Sequence, residues 1–297
     1  MNRDPLEYYR IQGPMTDPGD EGGCLGGIPT EVAGLRDIVQ GLVIHVFWTE
    51  RYGVRVPPER KRELQMRGMK EKLAQVRLLD GSPITTARPP DRRILGNCRD
   101  VSLMLCSMLR HLGKPARARC GFATYFAPNH FEDHWVCEYW GKEGRWVKVD
   151  AQLDALQREK LGIDFDPLDV PPDRFLAGGK AWQMCRTGGA DPDSFGISDM
   201  HGLWFVRGNL VRDLASLNKV ELLPWDAWGL MDSTSTSAPE SDLALLDHVA
   251  DATQAGNDRF AEVRSLFNDE RLRVPLKIRS YTAAGPLEVD VGRTETG

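Results

Sequence analysis

Residues 96–117 read GNCRDVSLMLCSMLRHLGKPAR, and residues 131–150 read FEDHWVCEYWGKEGRWVKVD. In the first stretch Val101, Met104, Leu105, Met108, Leu109 and Leu112 keep the three-and-four spacing of a helix with one buried face. Gly113 closes that helix and Pro115 follows it, so Cys98 falls in its first turn. Ala116, Ala118, Cys120, Phe122 and Thr124 then alternate with Arg117, Arg119, Gly121 and Ala123, the pattern of a strand. In the second stretch, His134–Trp140 and Arg145–Asp150 read as two further strands joined by a turn at Gly141–Gly144. A helix followed by strands predicts an α+β fold with the Cys98 helix packed on an antiparallel sheet.

The flanking sequence is less regular. Residues 1–29 carry clustered Gly and Pro (Gly13-Pro14, Pro18-Gly19, Gly22-Gly23, Gly26-Gly27) and are expected to be irregular and outside the core. Thr30 is the expected N-cap of a helix bearing Leu35, Ile38, Val39, Leu42, Val43, Val46 and Phe47, ended by Gly53. Pro57–Pro90 is basic, with Met66, Met69, Leu73 and Val76 at helical spacing, and a solvated helix face accounts for it better than RNA binding. Beyond Asp150, Gly202–Val206 and Lys219–Leu223 read as short extended or buried segments. The cluster Trp204–Asn209 with Trp225–Gly229 reads equally as a pocket wall or as core. The expected organisation is an irregular segment 1–29, a catalytic core 30–160, a covering C-terminal lobe 161–231, a low-complexity linker 232–241, a helical appendage 242–283 and a tail 284–297.

Bulk properties narrow the function classes. A chain of 297 residues with 38 basic and 43 acidic side chains, net -5, carries no run of one sign that would suit nucleic acid or an anionic membrane. No apolar stretch approaches the roughly 18 residues of a membrane span, and the charged, aromatic N-terminus is unlike a signal peptide, so a cytoplasmic location is expected. The six cysteines form no CxxC pair and match no zinc ribbon, which makes free thiols the expectation. No nucleotide-binding loop, organic cofactor site or metal site is expected.

Among the cysteines, Cys98 alone is placed in a helix first turn, where the dipole and backbone N–H groups favour a thiolate. A thiolate enzyme also needs a base and a group that orients the base; His134 and Asp150, on consecutive strands, fit those roles. Their side chains share a face only if directly opposed residues have numbers of like parity. That requires an odd hairpin loop, such as Gly141–Glu143 closed by Trp140 opposite Gly144, or a bulge.

These residues resemble a known family. Gly96-Asn-Cys98-Arg-Asp100, Leu109–Arg117 and Gly121-Phe122 look like the Cys-bearing helix, following turn and next strand of the transglutaminase-like superfamily, whose core is papain-like. His134 with Glu138, and Trp146–Asp150, are similar to that family's His and Asp strands. The resemblance covers roughly residues 31–155. It implies catalytic roles for Cys98, His134 and Asp150, and acyl transfer on an amide or thioester carried by a small molecule, a peptide or a carrier protein. Trp135 directly after His134, and Ala151-Gln152 after Asp150, depart from the family pattern. No matching motif supplies the oxyanion donor; on physical grounds the Cys98 N–H, with a side chain from the first helix region or Asn97, would serve.

Several alternatives stand beside this reading. His130 is the rival base, and His111 has reason enough at a helix end. A zinc site of Cys98, His134 and Asp150 lacks the usual close-spaced ligand pair. A binding module that kept the fold, and a thioester-releasing Dieckmann-type cyclase, remain as functional alternatives.

Overall fold

The computed structural model describes residues 4–231 and 239–292. They form a mixed helix and sheet structure of the α+β class, divided into two compact units. The first unit consists of Leu6–Ala118 and Val136–Val170; the second contains Arg119–Trp135 and the chain from Pro171 onward, so the division falls inside two strands.

The first unit contains α1 (Pro5–Arg10), α2 (Val32–Leu42), β1 (Val43–His45), α3 (Met69–Leu79), β2 (Ile94–Gly96), α4 (Cys98–His111), the start of β3 (Ala116–Ala123), the end of β4 (Phe131–Trp140), β5 (Trp146–Val149) and α5 (Ala155–Leu161). Helix α4 ends as its sequence predicts: Gly113 adopts φ 71°, and Lys114 N–H returns to the Leu109 carbonyl at 2.9 Å. Every residue from Cys98 to Arg110 is buried, so the polar positions of α4 need internal partners.

Those partners come from the segment expected to lie outside the core. Ser107 Oγ donates to the Thr16 carbonyl at 2.7 Å, Arg110 Nη1 to Thr16 Oγ1 at 2.8 Å, and Gln12 Nε2 to the Ser107 carbonyl at 2.9 Å. Tyr8, Tyr9, Met15, Leu25 and Ile28 are buried, and the segment forms α1 and a 3-10 turn at Gly19–Leu25. The Gly and Pro clusters therefore shape turns and do not mark an unpacked segment.

A second difference lies at Leu42. The helix expected to run from Thr30 to Gly53 has Glu31 at its N-cap position, without a side-chain cap, and stops at Leu42. The β-branched Val43 and Ile44 then pair in parallel with Ile94 and Leu95, and a 3-10 turn at Val46–Tyr52 carries the chain to Gly53. Strand β2 is held by Glu63, which accepts from Leu95 N–H at 2.7 Å and from Arg60 at 2.8 and 2.9 Å.

In β4 and β5, Cys137↔Val149, Glu138↔Lys148, Tyr139↔Val147 and Trp140↔Trp146 are antiparallel partners. The pleat turns Cys137 toward Cys106 of α4, while Glu138 meets Arg117 at 2.7 Å. The Arg117 guanidinium also lies 4.0 Å from the Trp146 ring centroid.

The second unit contains the rest of β3 and β4, followed by β6 (Phe175–Ala177), α6 (Gly178–Arg186), β7 (Phe195–Ile197), β8 (Met200–His201), α7 (Leu203–Leu217), β9 (Asp226–Ala227), α8 (Glu240–Gln254), α9 (Phe260–Leu266), β10 (Lys277–Thr282) and β11 (Gly285–Asp290). Here β6 pairs with β3, and β4 pairs in parallel with β7, which leads to β8. Gly178 and Gly179 allow close helix approach, since a Cβ would lie 2.7 Å from the Asn209 carbonyl or 2.5 Å from Thr253 Oγ1. Asp213 of α7 receives Arg119 through two hydrogen bonds of 2.9 and 2.8 Å and accepts from Cys120 N–H at 3.0 Å.

Leu203–Val206, expected to be extended or buried, opens helix α7; Phe205 and Val206 are buried, and Val206, Leu210, Leu214 and Leu217 keep helical spacing. Lys219–Leu223, read in the same way, is buried and forms no strand. The expected tail contains β11, paired with β10 from Thr282↔Gly285 to Lys277↔Asp290. Of the expected linker, 232–238 lies outside the described residues, and Glu240 and Ser241 already belong to α8.

The Arg117–Glu138 pair gives a stability prediction. Glu138→Gln leaves the Arg117 charge buried without its carboxylate, and urea unfolding should show a loss of about 3–5 kcal/mol. Arg117→Met combined with Glu138→Gln should recover part of that loss. Equal losses in the single and double variants would count against the pairing.

Candidate active site

The site begins with the backbone of β2. Gly96 has no room for a Cβ, which would lie 2.9 Å from Val43 Cγ1 and 3.1 Å from Asp100 Oδ2. Asn97 follows as the N-cap of α4, its Oδ1 accepting from Asp100 N–H at 3.2 Å, while Asp100 Oδ2 accepts from Asn97 N–H at 3.1 Å. This reciprocal capping box, with Asp in the position usual for Glu or Gln, fixes the turn that carries Cys98. Cys98 is the first helical residue and is buried.

Asp100 is also the centre of a buried charge cluster. Its Oδ1 receives Arg99 Nη1 at 3.1 Å and lies 2.9 Å from Lys72 Nζ of α3. The lysine approach is a Coulomb contact and not an aligned hydrogen bond. Arg99 Nη2 donates to the Arg67 carbonyl at 2.7 Å. Lys72, Arg99 and Asp100 are all fully buried, so two cations surround one carboxylate below the start of α4.

Burial pushes the Lys72 ammonium below the ordinary lysine range and Arg99 adds to this, while Asp100 opposes it. The sequence reading missed Lys72 because a lysine on a basic helix looks solvated. The signal was its position three residues after Met69 and four before Val76, within the apolar stripe.

Asp150 follows the last residue of β5 and is buried. Its Oδ1 accepts from Gln152 N–H at 3.0 Å, and its own N–H donates to the Pro167 carbonyl at 2.9 Å. Ala151 is tied to α2 through Gln40 Nε2, and Gln152 Nε2 reaches Gln157 at 3.2 Å. Behind this turn, a cavity of about 20 Å³, lined among others by Gln40, Tyr52, Val101 and Gln152, is the size of one water molecule. The β4–β5 partners have numbers of like parity, as an odd loop requires. The loop has five residues, 141–145, closed by Trp140↔Trp146 in place of Trp140 opposite Gly144.

His134 belongs to the second unit, whereas Cys98 and Asp150 belong to the first. Its imidazole is buried among Phe126, Tyr125 and Phe175, with ring centroids 4.9, 5.9 and 6.4 Å away. Among these neighbours Phe175 was not legible in the sequence, because it is brought near His134 through the pairing of β6 with β3. The preceding Asp133 accepts from Asn209 Nδ2 at 2.8 Å. Burial pushes the Asp133 carboxyl up, opposed by Arg212 and Asn209, and burial likewise raises Glu132. His130 lies in the turn before β4 and His111 is the exposed last residue of α4.

Residues 80–151 match the model of the transglutaminase-like superfamily. This segment is transglutaminase-like. It spans about a quarter of the chain and includes Cys98, His134 and Asp150. Comparisons with curated proteins and with solved structures give no match. Among the described residues no group of His, Cys, Asp and Glu is arranged to hold a metal ion, and no helix is long and apolar enough to cross a membrane.

The charge cluster behind the transglutaminase-like helix gives a pH prediction. Lys72 loses its proton at lower pH when folded than when unfolded, so between its folded value and the ordinary lysine value the unfolded chain binds more protons. Stability then rises with pH in that window. Relative to Lys72→Met, wild type should gain stability as pH rises through that window toward the ordinary lysine value, with a limiting slope of about 1.4 kcal/mol per pH unit. Parallel urea stability curves for the two proteins would contradict the burial of a charged Lys72.

Proposed function

We propose that the protein is a cysteine-dependent acyl-transfer enzyme in which Cys98 attacks an amide or thioester carbonyl and forms an acyl-enzyme. In this reading the transglutaminase-like segment forms a papain-like core. His134 is the base that returns a proton to the leaving group, and Asp150 orients His134. Water, an amine or an internal carbanion would resolve the acyl-enzyme to give a hydrolase, a transamidase or a cyclase. The proposed partner is an acyl group on a small molecule, a peptide or a carrier protein.

The observation that carries this reading is the placement of Cys98 at the first position of a capped, buried 14-residue helix within the matched segment. Helix N-termini stabilise thiolates. Burial pushes the thiols of Cys24 and Cys137 up, and that of Cys185 up to about 11, so these three are poor nucleophiles near neutrality. Glu21 adds to the rise at Cys24, as Cys106 does at Cys137 and Asp191 at Cys185.

Iodoacetamide labelling as a function of pH, mapped by peptide mass spectrometry on wild type, Cys98→Ser and His134→Ala, tests the proposal. Cys98 should label selectively near about pH 6, and the selectivity should disappear in His134→Ala. A Cys98 that reacts no faster than the other five thiols would favour a non-catalytic binding module.

A further inference from the structure

We propose that the Asn97 side-chain amide donates a hydrogen bond from Nδ2 to the oxyanion formed when Cys98 attacks an acyl carbon. This rests on the acyl-transfer reading and assigns the side-chain donor that the family resemblance does not supply.

The first observation is the state of the amide. Asn97 is only 6% exposed, and its Nδ2 is buried with no hydrogen-bond partner among the described residues. Its orientation is set by the other end of the same group, because Oδ1 accepts from Asp100 N–H at 3.2 Å. The oxygen serves the helix cap, and the nitrogen is left with a proton to donate. An unsatisfied buried donor costs roughly 1–3 kcal/mol, a cost offset if an acceptor arrives with the substrate.

The second observation is position. Asn97 directly precedes Cys98, so one peptide bond and the capping box together fix the amide relative to the nucleophile. The 14-residue helix behind them presents its positive end to developing negative charge. The third observation is electrostatic. Asp100, three residues from Asn97, would repel an oxyanion, but Lys72 and Arg99 surround its carboxylate and leave the buried cluster with an excess of positive charge.

The step uses no cofactor. The Cys98 Sγ–C bond forms as the carbonyl π pair moves onto oxygen. When that pair returns, the bond to the leaving group breaks and the leaving group departs with its electrons. With p-nitrophenyl acetate the products are the acetyl-enzyme thioester and nitrophenolate, and no proton is needed at the leaving oxygen. Asn97 Nδ2–H stabilises only the species that carries the oxyanion.

Acylation by p-nitrophenyl acetate compared with alkylation by iodoacetamide isolates this contribution. Both reactions need the Cys98 thiolate, but only acylation passes through an oxyanion. Asn97→Ser and Asn97→Thr keep an oxygen that can cap the helix, lose the amide donor and add no charge. The nitrophenolate burst rate should fall about 10²–10³-fold in both variants relative to the alkylation rate of the same protein.

Thermal unfolding checks that the cap is retained, and Asn97→Thr carries the comparison if the serine variant fails to fold. If acylation and alkylation fall together, or neither falls, the Asn97 assignment is overturned and the acyl-transfer reading stands. A wild type that is alkylated at Cys98 but gives no nitrophenolate burst overturns both.

Discussion

One buried carboxylate, Asp100, carries more of this structure than any other side chain. It closes the capping box with Asn97, receives Arg99 from its own helix and neutralises Lys72 from α3. Two of these contacts act on the start of α4 and the third ties it to α3, so all of them converge on the turn that presents Cys98. Two cations and one anion out of water form an expensive arrangement that is tolerated only when the geometry is tight. The same tightness removes the slack from the start of α4.

Other buried carboxylates repeat this use of one acid for several donors. Glu63 takes Arg60, Gln75 and the Leu95 N–H, which anchors β2 just before Asn97. In the second unit Asp213 takes Arg119 and the Cys120 N–H, which ties α7 to β3. Apolar side chains fill the space in both units, but these acids specify which backbone segments meet. A core built this way has few equivalent rearrangements, because moving one element leaves a charge or an N–H group unpaired.

Periodicity made the centre of the fold legible. Helix α4, its glycine stop and the three strands after it follow from spacing in residues 96–150, while the parity of the β4–β5 hairpin was a requirement of placing His134 and Asp150 on one face. The resemblance of the same stretch to the transglutaminase-like superfamily rested on ordered motifs, and the matched segment covers them. Where reading failed, the reason was context. Thr16 and Gln12 looked irregular because their value lies in polar atoms of a helix 90 residues away. Val43 and Ile44 continued a helical stripe on paper and became strand because Ile94–Gly96 offered an edge. The expected tail, from residue 284, supplied β11, which pairs with β10 of the segment before it, and its composition did not announce this. Of the candidate site, the placement of Cys98 was readable from local signals. The approach of Phe175 to His134 and of Lys72 to Asp100 depends on distant segments and was not.

The five-residue turn between β4 and β5 also limits how this chain can change over generations. Val147 and Val149 are buried, and the intervening Lys148 lies on the other side of the pleat. Adding or removing one residue in the turn would bring the lysine to the apolar side and both valines away from it. Insertions and deletions at this hairpin are therefore compatible with the fold in steps of two, whereas an ordinary surface loop of the same length can drift by single residues.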